Sequence, residues 1–326
     1  MKNKTDIIAE AGINHNGNFK KAIKLVKIAK NSKADFVKFQ LFKTENFINK
    51  EFIHKKINYS KIFKRFSSLE FSIKEWKQII KYGKRLGIKV FFSIFDTESL
   101  KILKTLKINL IKIPSGEINN IPLLKSINKK NYKVILSTGM STLEEITKAT
   151  KILNKCHLSL LHCVSEYPTT NPNLRNILFL KKKYKKKVGF SDHTNDILTP
   201  ALSVIAGAQI IEKHFTYNKK QKIGDHNFSL SPKELKQMVQ NVRLAERSIG
   251  SKKRKISKKE NQLKFFARKG IYLNRDTKKG QKIVNDDLDI LRPEGNFPVN
   301  KIHLIKNKIL LKNIKKHQLL KPKYFK

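Results

Sequence analysis

Two histidines in the stretch 187–216, KVGFSDHTNDILTPALSVIAGAQIIEKHFT, have the type and spacing of metal ligands. His193 and His214 each follow a short apolar run rich in β-branched residues, and a helix-length segment separates the two runs. Parallel strands joined in this way lie about 5 Å apart, so both imidazoles can converge at the carboxyl ends of the strands. We interpret them as a partial metal site that leaves positions for water or substrate. The alternative is that each is a hydrogen-bonded surface histidine at a strand end.

Eight such strand-like runs occur in the first 215 residues, and amphipathic stretches separate them. They are 6–11, 35–40, 90–95, 110–115, 133–138, 158–164, 187–192 and 208–215. This alternation predicts an α/β fold, a parallel (β/α)8 TIM barrel. An open doubly wound sheet is the alternative.

Each run has polar residues at or just beyond its carboxyl end. They are Glu10, Lys38 with Gln40, Ser93, Lys112 with Ser115, Ser137, Ser165 with Tyr167, Ser191 with His193, and Glu212 with His214. In a barrel these ends share one face, where catalytic groups gather. Lys38 and Lys112 interrupt apolar strands, and a buried ammonium needs a counter-ion. That counter-ion is either the phosphate and carboxylate of a small anionic ligand, or a strand glutamate such as Glu10 or Glu117.

Helix starts and one long connection complete the predicted barrel. Capping boxes are predicted at Ser72 with Glu75, Ser141 with Glu144, and Ser231 with Glu234. The segment 45–72 is longer than a barrel connection requires, and we expect an extra loop at the mouth of the active site.

The composition is strongly basic, with 71 Lys and Arg against 25 Asp and Glu and a net charge of +46. Because lysine is spread along the whole chain, we do not favour a basic nucleic-acid-binding protein, which is the non-enzymatic alternative. A basic field does favour anionic substrates. No apolar run approaches the roughly 20 residues that a membrane span requires. With only Cys156 and Cys163, we expect no disulfide framework and a cytoplasmic location.

The composition changes after Gly250. We expect a barrel domain over 1–250, a lysine-rich linker over 251–265, and a small mixed domain over 266–326. A domain of this size is marginal by itself, so we expect it to dock onto another surface.

Several motifs in order resemble the sialic acid synthase family. They are IAEAGINHNG (8–17), VKFQ (37–40), IPSGEI (113–118), LSTGM (136–140), LLHCVSEYPT (160–169), VGFSDHT (188–194), IEKHFT (211–216) and GDHNFSL (224–230). The resemblance implies condensation of phosphoenolpyruvate with an N-acetylated mannose-type sugar and water, which gives a nonulosonic acid and phosphate. The C-terminal domain resembles the antifreeze-like (SAF) domain that follows the barrel in this family.

The resemblance also implies roles for single residues. It implies that His193 and His214 bind a divalent metal, usually Mn²⁺, with Mg²⁺ or Co²⁺ as alternatives. Catalytic roles fall to Glu10, Lys38, Lys112, Tyr167 and Asp225. Substrate contacts fall to Gln40, Ser93, Ser115, Ser137, Ser165, Ser191 and Arg292. The family arrangement implies a homodimer with exchanged C-terminal domains, in which Arg292 reaches the sugar at the partner's barrel.

Some positions depart from the family pattern, and two questions stay open. Ser93 stands where threonine is common, Ser165 stands where asparagine sometimes occurs, and Glu294 separates Arg292 and Pro293 from the expected glycine. The sugar is either N-acetylmannosamine or its 2,4-diacetamido-2,4,6-trideoxy relative, the substrate of the legionaminic acid branch. A rival enzyme class is a Schiff-base aldolase with Lys112 or Lys38 as nucleophile.

Overall fold

The structure, a computed structural model, describes residues 4–54, 57–221, 224–250 and 253–326. The chain divides into two compact units, Met1–Gly250 and Ser251–Lys326. None of the helices in these described ranges has the length and apolarity needed to cross a bilayer.

The first unit is built on a closed barrel of eight parallel strands. The strands are β1 (Asp6–Gly12), β2 (Phe36–Leu41), β3 (Lys89–Ile94), β4 (Leu110–Ile113), β5 (Lys133–Ser137), β6 (His157–His162), β7 (Lys187–Asp192) and β8 (Ile210–His214). Each strand pairs with its neighbours in the sequence, and β1 pairs with β8 in the register Asp6↔Ile210 through Glu10↔His214. The predicted barrel is therefore confirmed, and the open doubly wound sheet is wrong.

Helices follow the strands and cover the outside of the barrel. They are Phe19–Asn31, Ile73–Leu86, Thr97–Thr105, Ile121–Ile127, Leu143–Ile152, Arg175–Tyr184, Thr199–Ile205 and Pro232–Ser248. The capping boxes at Ser72 and Ser231 are confirmed.

The capping box predicted at Ser141 is wrong by one residue. Thr142 caps that helix. Its Oγ1 accepts a hydrogen bond from the backbone N–H of Glu145, and the Glu145 carboxylate accepts one from the backbone N–H of Thr142. Ser141 is unsuited to the role because its Oγ donates a hydrogen bond of 2.9 Å to the carbonyl of Gly139, which closes the turn after β5.

Apolar side chains fill two separate layers, as the alternation of residues along each strand requires. The inner layer fills the barrel below the polar mouth and consists of Ile8, Phe91, Ile135, Leu161 and Ile210. The intervening strand residues face outward and pack under the helices in a much larger cluster.

The long connection after β2 contains regular elements. Its described residues form two helices, Thr44–Phe47 and Tyr59–Ser67, and two short paired strands, Ile53–His54 and Ile57–Asn58. Phe47 packs against Phe95 with ring centroids 4.8 Å apart, and Phe95 lines the cavity at the barrel mouth. The connection therefore lies beside the mouth.

The second unit has its own small core around two antiparallel strands, β9 (Gly270–Leu273) and β10 (Leu288–Leu291). Its buried apolar residues are Ile271, Leu273, Ile283, Phe297, Ile305, Leu310, Ile314, Leu320 and Tyr324. The 3₁₀ segments Asn285–Asp287, Val299–Leu304 and Pro322–Tyr324 and isolated bridges connect the rest. Most of the helix Lys258–Ala267 falls within the predicted linker, 251–265.

Candidate active site

A cavity of about 250 Å³ opens at the carboxyl ends of the barrel strands. Twelve of the fourteen predicted site residues line it. They are Glu10, Lys38, Gln40, Ser93, Lys112, Ser115, Ser137, Ser165, Tyr167, Ser191, His193 and His214. The shared position follows from the parallel barrel, which brings all eight strand ends to one face.

Two lysines and two glutamates form a buried charge cluster on the cavity floor. Lys38 Nζ lies 2.8 Å from Glu10 Oε2 and 3.5 Å from Glu212 Oε2, while Lys112 Nζ lies 3.8 Å from Glu212 Oε1. All four side chains are almost fully buried. Glu10 therefore pairs with Lys38, as the second interpretation of the sequence predicted. Glu117 is not the partner of Lys112.

The cluster shifts the pKa of each of its members. Burial raises the pKa of Glu10 to about 7, although the nearby ammonium of Lys38 opposes the shift. Burial opposes ionisation of Glu212 too, but Lys112 and Lys38 outweigh it and bring its pKa to about 2. Burial lowers the pKa of Lys112. Burial also acts to lower the pKa of Lys38, but the carboxylates of Glu10 and Glu212 outweigh it, so the pKa of Lys38 is raised. The floor thus holds one firmly ionised carboxylate and one that titrates near neutral pH.

Hydroxyl groups surround the two ammonium groups. Lys38 Nζ donates to Ser93 Oγ at 2.7 Å, and Ser191 Oγ donates to Glu212 Oε1 at 2.9 Å. Across the cavity, the backbone N–H of Gly139 donates to Ser115 Oγ at 3.1 Å. Ammonium, hydroxyl and backbone N–H donors of this kind are the groups that bind phosphate and carboxylate.

The two histidines meet at the side of the cavity with ring centroids 6.1 Å apart. His193 Nδ1 donates to the carbonyl of Val164 at 2.6 Å, so Nε2 carries the lone pair. His214 Nδ1 is buried without a hydrogen bond. Burial lowers the pKa of His193 to about 4 and the pKa of His214 well below its usual range, so both rings are neutral at pH 7.

Two neutral imidazoles suit a divalent metal, and the nitrogen of His214 that is buried without a hydrogen bond is the observation that favours one. Within the described ranges, no group of three or more His, Cys, Asp and Glu side chains converges to hold an ion. Two histidines by themselves would form an open site, in which water or substrate would complete the coordination.

Asp225 lies beside the histidines although it does not line the cavity. Its Oδ2 is 3.6 Å from His214 Nδ1, and burial raises its pKa to about 6. Asn14 links the backbone at Asp225 to the residue that follows β8. Its Oδ1 accepts from the backbone N–H of Asp225 at 2.8 Å, and its Nδ2 donates to the carbonyl of Phe215 at 2.8 Å.

Tyr167 closes the histidine side of the cavity. Its hydroxyl lies 2.9 Å from His193 Nε2, and its ring stacks on the imidazole of His193 at a centroid distance of 3.9 Å. The phenol therefore occupies the lone pair of the first proposed metal ligand.

The remaining predicted site residue, Arg292, belongs to the second unit and precedes a cis proline. Its role at a partner's barrel stays a prediction.

Six of the residues that line the cavity were absent from the predicted site, and two of them, Glu212 and Cys163, have ionisable side chains. Glu212 holds both lysines, and its position two residues before His214 on an alternating strand was the available signal. Cys163 Sγ lies 3.2 Å from Ser115 Oγ, and nothing in the sequence pattern distinguishes it from a core cysteine.

Comparison with known proteins places this site in a family context. The model of the NeuB family matches residues 25–254. The chain is 39% identical to the N,N'-diacetyllegionaminic acid synthase of Campylobacter jejuni over 98% of its length and 99% of that protein. It is 38% identical to the N,N'-diacetyllegionaminic acid synthase of Legionella pneumophila over 94% of its length and 91% of that protein.

A solved structure agrees with these relatives. The N-acetylneuraminic acid (sialic acid) synthetase of Leptospira borgpetersenii, in complex with citrate, superimposes with a TM-score of 0.73 and 34% identity. That match covers 80% of this chain and 90% of the other. The family match over most of the barrel and the full-length similarity to these synthases show that the chain belongs to the NeuB family of sialic acid synthases.

Proposed function

We propose that the protein condenses phosphoenolpyruvate with an N-acetylated mannose-type sugar and water, giving a nonulosonic acid and phosphate. The observation that carries this proposal is one cavity with two ammonium groups and serine hydroxyls at one end and two neutral imidazoles at the other. The first end suits a small phosphorylated carboxylate, and the second suits a carbonyl oxygen that must be polarised. The family membership supports the same reaction.

The lysine end binds the anionic substrate. Lys112 lies 3.8 Å from its nearest carboxylate, so its buried charge is only partly compensated. A bound phosphoenolpyruvate supplies the missing negative charge, and Ser115 and Ser137 donate hydroxyl hydrogen bonds to it. These residues hold the enol carbon in position toward the aldehyde of the open-chain sugar, which converts an encounter into a near-attack geometry.

Glu10 accepts and releases a proton in the proposed reaction. Because its pKa is about 7, it can both accept and release a proton under physiological conditions. Its partner Lys38 remains charged and keeps the carboxylate aimed into the cavity. Water adds at the carbon that bears the phosphate, and phosphate leaves with cleavage of the carbon–oxygen bond.

His193 and His214 hold a divalent ion, with Mn²⁺ as first choice and Mg²⁺ or Co²⁺ as alternatives. When bound, the ion supplies Lewis-acid polarisation of the sugar's carbonyl oxygen. Tyr167, Gln40 and Asp225 line the approach to this end and orient the sugar.

The diacetamido sugar is the favoured substrate. The two relatives at 39% and 38% identity are N,N'-diacetyllegionaminic acid synthases, whereas the sialic acid synthetase matches at 34% identity. The product is then N,N'-diacetyllegionaminate, with N-acetylneuraminate as the alternative.

The second unit is an antifreeze-like (SAF) domain, and the protein is a homodimer with exchanged C-terminal domains. Support comes from the small core of this unit, which gains stability by docking onto a partner. In that arrangement Arg292 reaches the sugar at the partner's barrel.

A phosphate-release assay tests the reaction. Phosphoenolpyruvate is supplied with N-acetylmannosamine or with 2,4-diacetamido-2,4,6-trideoxymannose, each with Mn²⁺ and after exhaustive chelation. We expect metal-dependent release and faster turnover with the diacetamido sugar. Absence of release with both sugars in the presence of Mn²⁺ contradicts the proposed reaction.

The family membership does not favour the aldolase alternative, in which Lys112, whose pKa burial lowers, would be the Schiff-base nucleophile. Borohydride added to the same mixtures separates the two mechanisms. The condensation predicts no substrate trapped on Lys112, whereas a reduced adduct at that residue identifies an aldolase.

A further inference from the structure

Lys213, which immediately precedes His214, has one of the most deeply buried side chains of the first unit. Along β8 the side chains alternate, so His214 faces the cavity while Lys213 faces the layer between the barrel and its helices. Its neighbours Ile211 and Phe215 belong to the apolar cluster of that layer. A charged ammonium in such surroundings must be fully paired.

The ammonium of Lys213 contacts the residues on both sides of His193. It donates to Asp192 Oδ2 at 2.7 Å, to the carbonyl of Thr194 at 2.5 Å and to Thr194 Oγ1 at 3.3 Å. Asp192 in turn accepts from the backbone N–H of Thr194 at 2.9 Å and from its hydroxyl at 3.1 Å. Lys213, the residue next to His214, is therefore hydrogen-bonded to the residues on both sides of His193.

This pairing contributes geometry more than stability. A buried ion pair gains little net free energy, because the cost of desolvating both charges offsets their attraction. The same pair does impose a single arrangement, since any displacement leaves a buried charge without its partner. The turn at His193 and the end of β8 are thus held at one separation.

We propose that Asp192, Thr194 and Lys213 are positioning residues that set the separation and orientation of the His193 and His214 rings. Through that geometry they determine the affinity for the divalent metal. The inference rests on the proposed metal-binding function.

Asp192→Asn is the principal test, because it removes the charge and keeps the shape of the side chain. A crystal structure of the metal-free variant should have the two ring centroids displaced from their 6.1 Å separation by more than about 0.5 Å, the tolerance of a preorganised site. The Kd for Mn²⁺, measured by electron paramagnetic resonance, should rise about 10-fold. Thr194→Val removes only the hydroxyl contacts, so it keeps the test available if Asp192→Asn fails to fold, and it should give a smaller rise.

Asp35→Asn is the matched control. Asp35 forms a 2.6 Å ion pair with Arg243 at the other end of the barrel strands. This change should lower the Tm and leave the Kd for Mn²⁺ and the ring separation unaltered.

The outcomes separate this inference from the proposed function. If Asp192→Asn and Thr194→Val lower the Tm but keep the ring separation and the Kd of the wild type, the positioning role is wrong and the contacts are only structural. If the wild-type protein binds no Mn²⁺, the metal proposal fails. In that case the distance between the His193 and His214 ring centroids, compared between the metal-free variants and the metal-free wild type, still decides whether these residues position the histidines.

Discussion

Glu10 and Glu212 are both buried beside Lys38, yet their surroundings give them opposite protonation behaviour. Glu212 interacts with two ammonium groups and accepts a hydrogen bond from Ser191, so it stays ionised. Burial raises the pKa of Glu10 to about 7, although the ammonium of Lys38 opposes the shift. Two carboxylates held apart in pKa on one cavity floor are suited to different roles, one structural and one in proton transfer.

Glu10→Gln should lower kcat by about 100-fold or more, because the amide keeps the shape but cannot exchange a proton. Steady-state phosphate release at saturating substrates measures the loss. Glu117→Gln is the matched control, since Glu117 does not join the charge cluster, and it should retain activity. A Glu10→Gln enzyme with the kcat of the wild type excludes proton transfer by this residue.

Tyr167→Phe should tighten Mn²⁺ binding. If His193 binds the proposed metal, the hydroxyl of Tyr167 competes with the ion for the lone pair of His193 Nε2. A hydrogen bond of this kind is worth about 1 kcal/mol, or roughly fivefold in Kd. Calorimetric titration of the apoprotein with Mn²⁺ measures the change. Weaker binding in the variant indicates instead that the hydroxyl supports the bound ion.

At the scale of elements, the turn after β5 determines the shape of the lysine end of the cavity, where we propose that phosphoenolpyruvate binds. A Cβ added at Gly139 would lie 2.3 Å from Ser165 Oγ, 2.7 Å from Cys163 Sγ and 2.9 Å from Ser115 Oγ. Only glycine therefore lets the backbone approach these three side chains, two of which are proposed substrate contacts.

Gly139→Ala should raise the KM for phosphoenolpyruvate roughly 10-fold or more, because the serine hydroxyls must move from their positions. The matched comparison is Gly116→Ala, whose added methyl group meets no atom within 4 Å, and its KM should rise far less. Equal KM values for the two variants contradict a steric role for Gly139.

Glu70, near the end of the connection between β2 and β3, is hydrogen-bonded to two residues at its start. Its carboxylate accepts hydrogen bonds from the Thr44 backbone at 2.8 Å and from Lys43 Nζ at 2.9 Å. Partial burial acts to raise the pKa of Glu70, but these hydrogen bonds outweigh it and lower the pKa below its ordinary value of 4.5.

Glu70→Gln should therefore destabilise the protein in a pH-dependent way. Because the folded state holds the deprotonated form, the stabilisation is fully present above about pH 4.5 and is lost as the pH falls through the lower folded value. We expect a difference of about 1 kcal/mol at pH 7 in urea unfolding, and it should shrink as the solution is acidified. Glu45→Gln, an exposed change in the same connection, should have no such effect; a constant difference at all pH values contradicts this assignment.

At the scale of the whole molecule, the net charge of +46 bears on substrate capture. Raising the ionic strength from about 0.01 M to about 0.1 M shortens the Debye length from about 30 Å to about 10 Å. The kcat/KM for the anionic phosphoenolpyruvate should fall across this range, because the basic field accelerates its association. The KM for the neutral sugar is the internal control and should not change; equal salt responses for both substrates contradict electrostatic capture.

Much of the fold was predictable because its signals are local. Each barrel strand is a short β-rich run, and the capping boxes at Ser72 and Ser231 are contiguous four-residue patterns. The box at Ser141 was misplaced because Ser141 and Thr142 offer equivalent hydroxyls with a glutamate three residues on. Only the hydrogen bond from Ser141 to Gly139 distinguishes them.

By itself, the sequence determined that eight strands alternate with helices and that polar side chains stand at their carboxyl ends, including His193 and His214. Strand periodicity and chain order suffice for that. Only the tertiary structure decided which charged residues pair. Glu10 forms an ion pair with Lys38, Glu212 lies beside both Lys38 and Lys112, and Lys213 pairs with Asp192 next to His193. These pairs join residues up to 174 positions apart, and their contacts are fixed by the register and closure of the barrel, which no local pattern encodes.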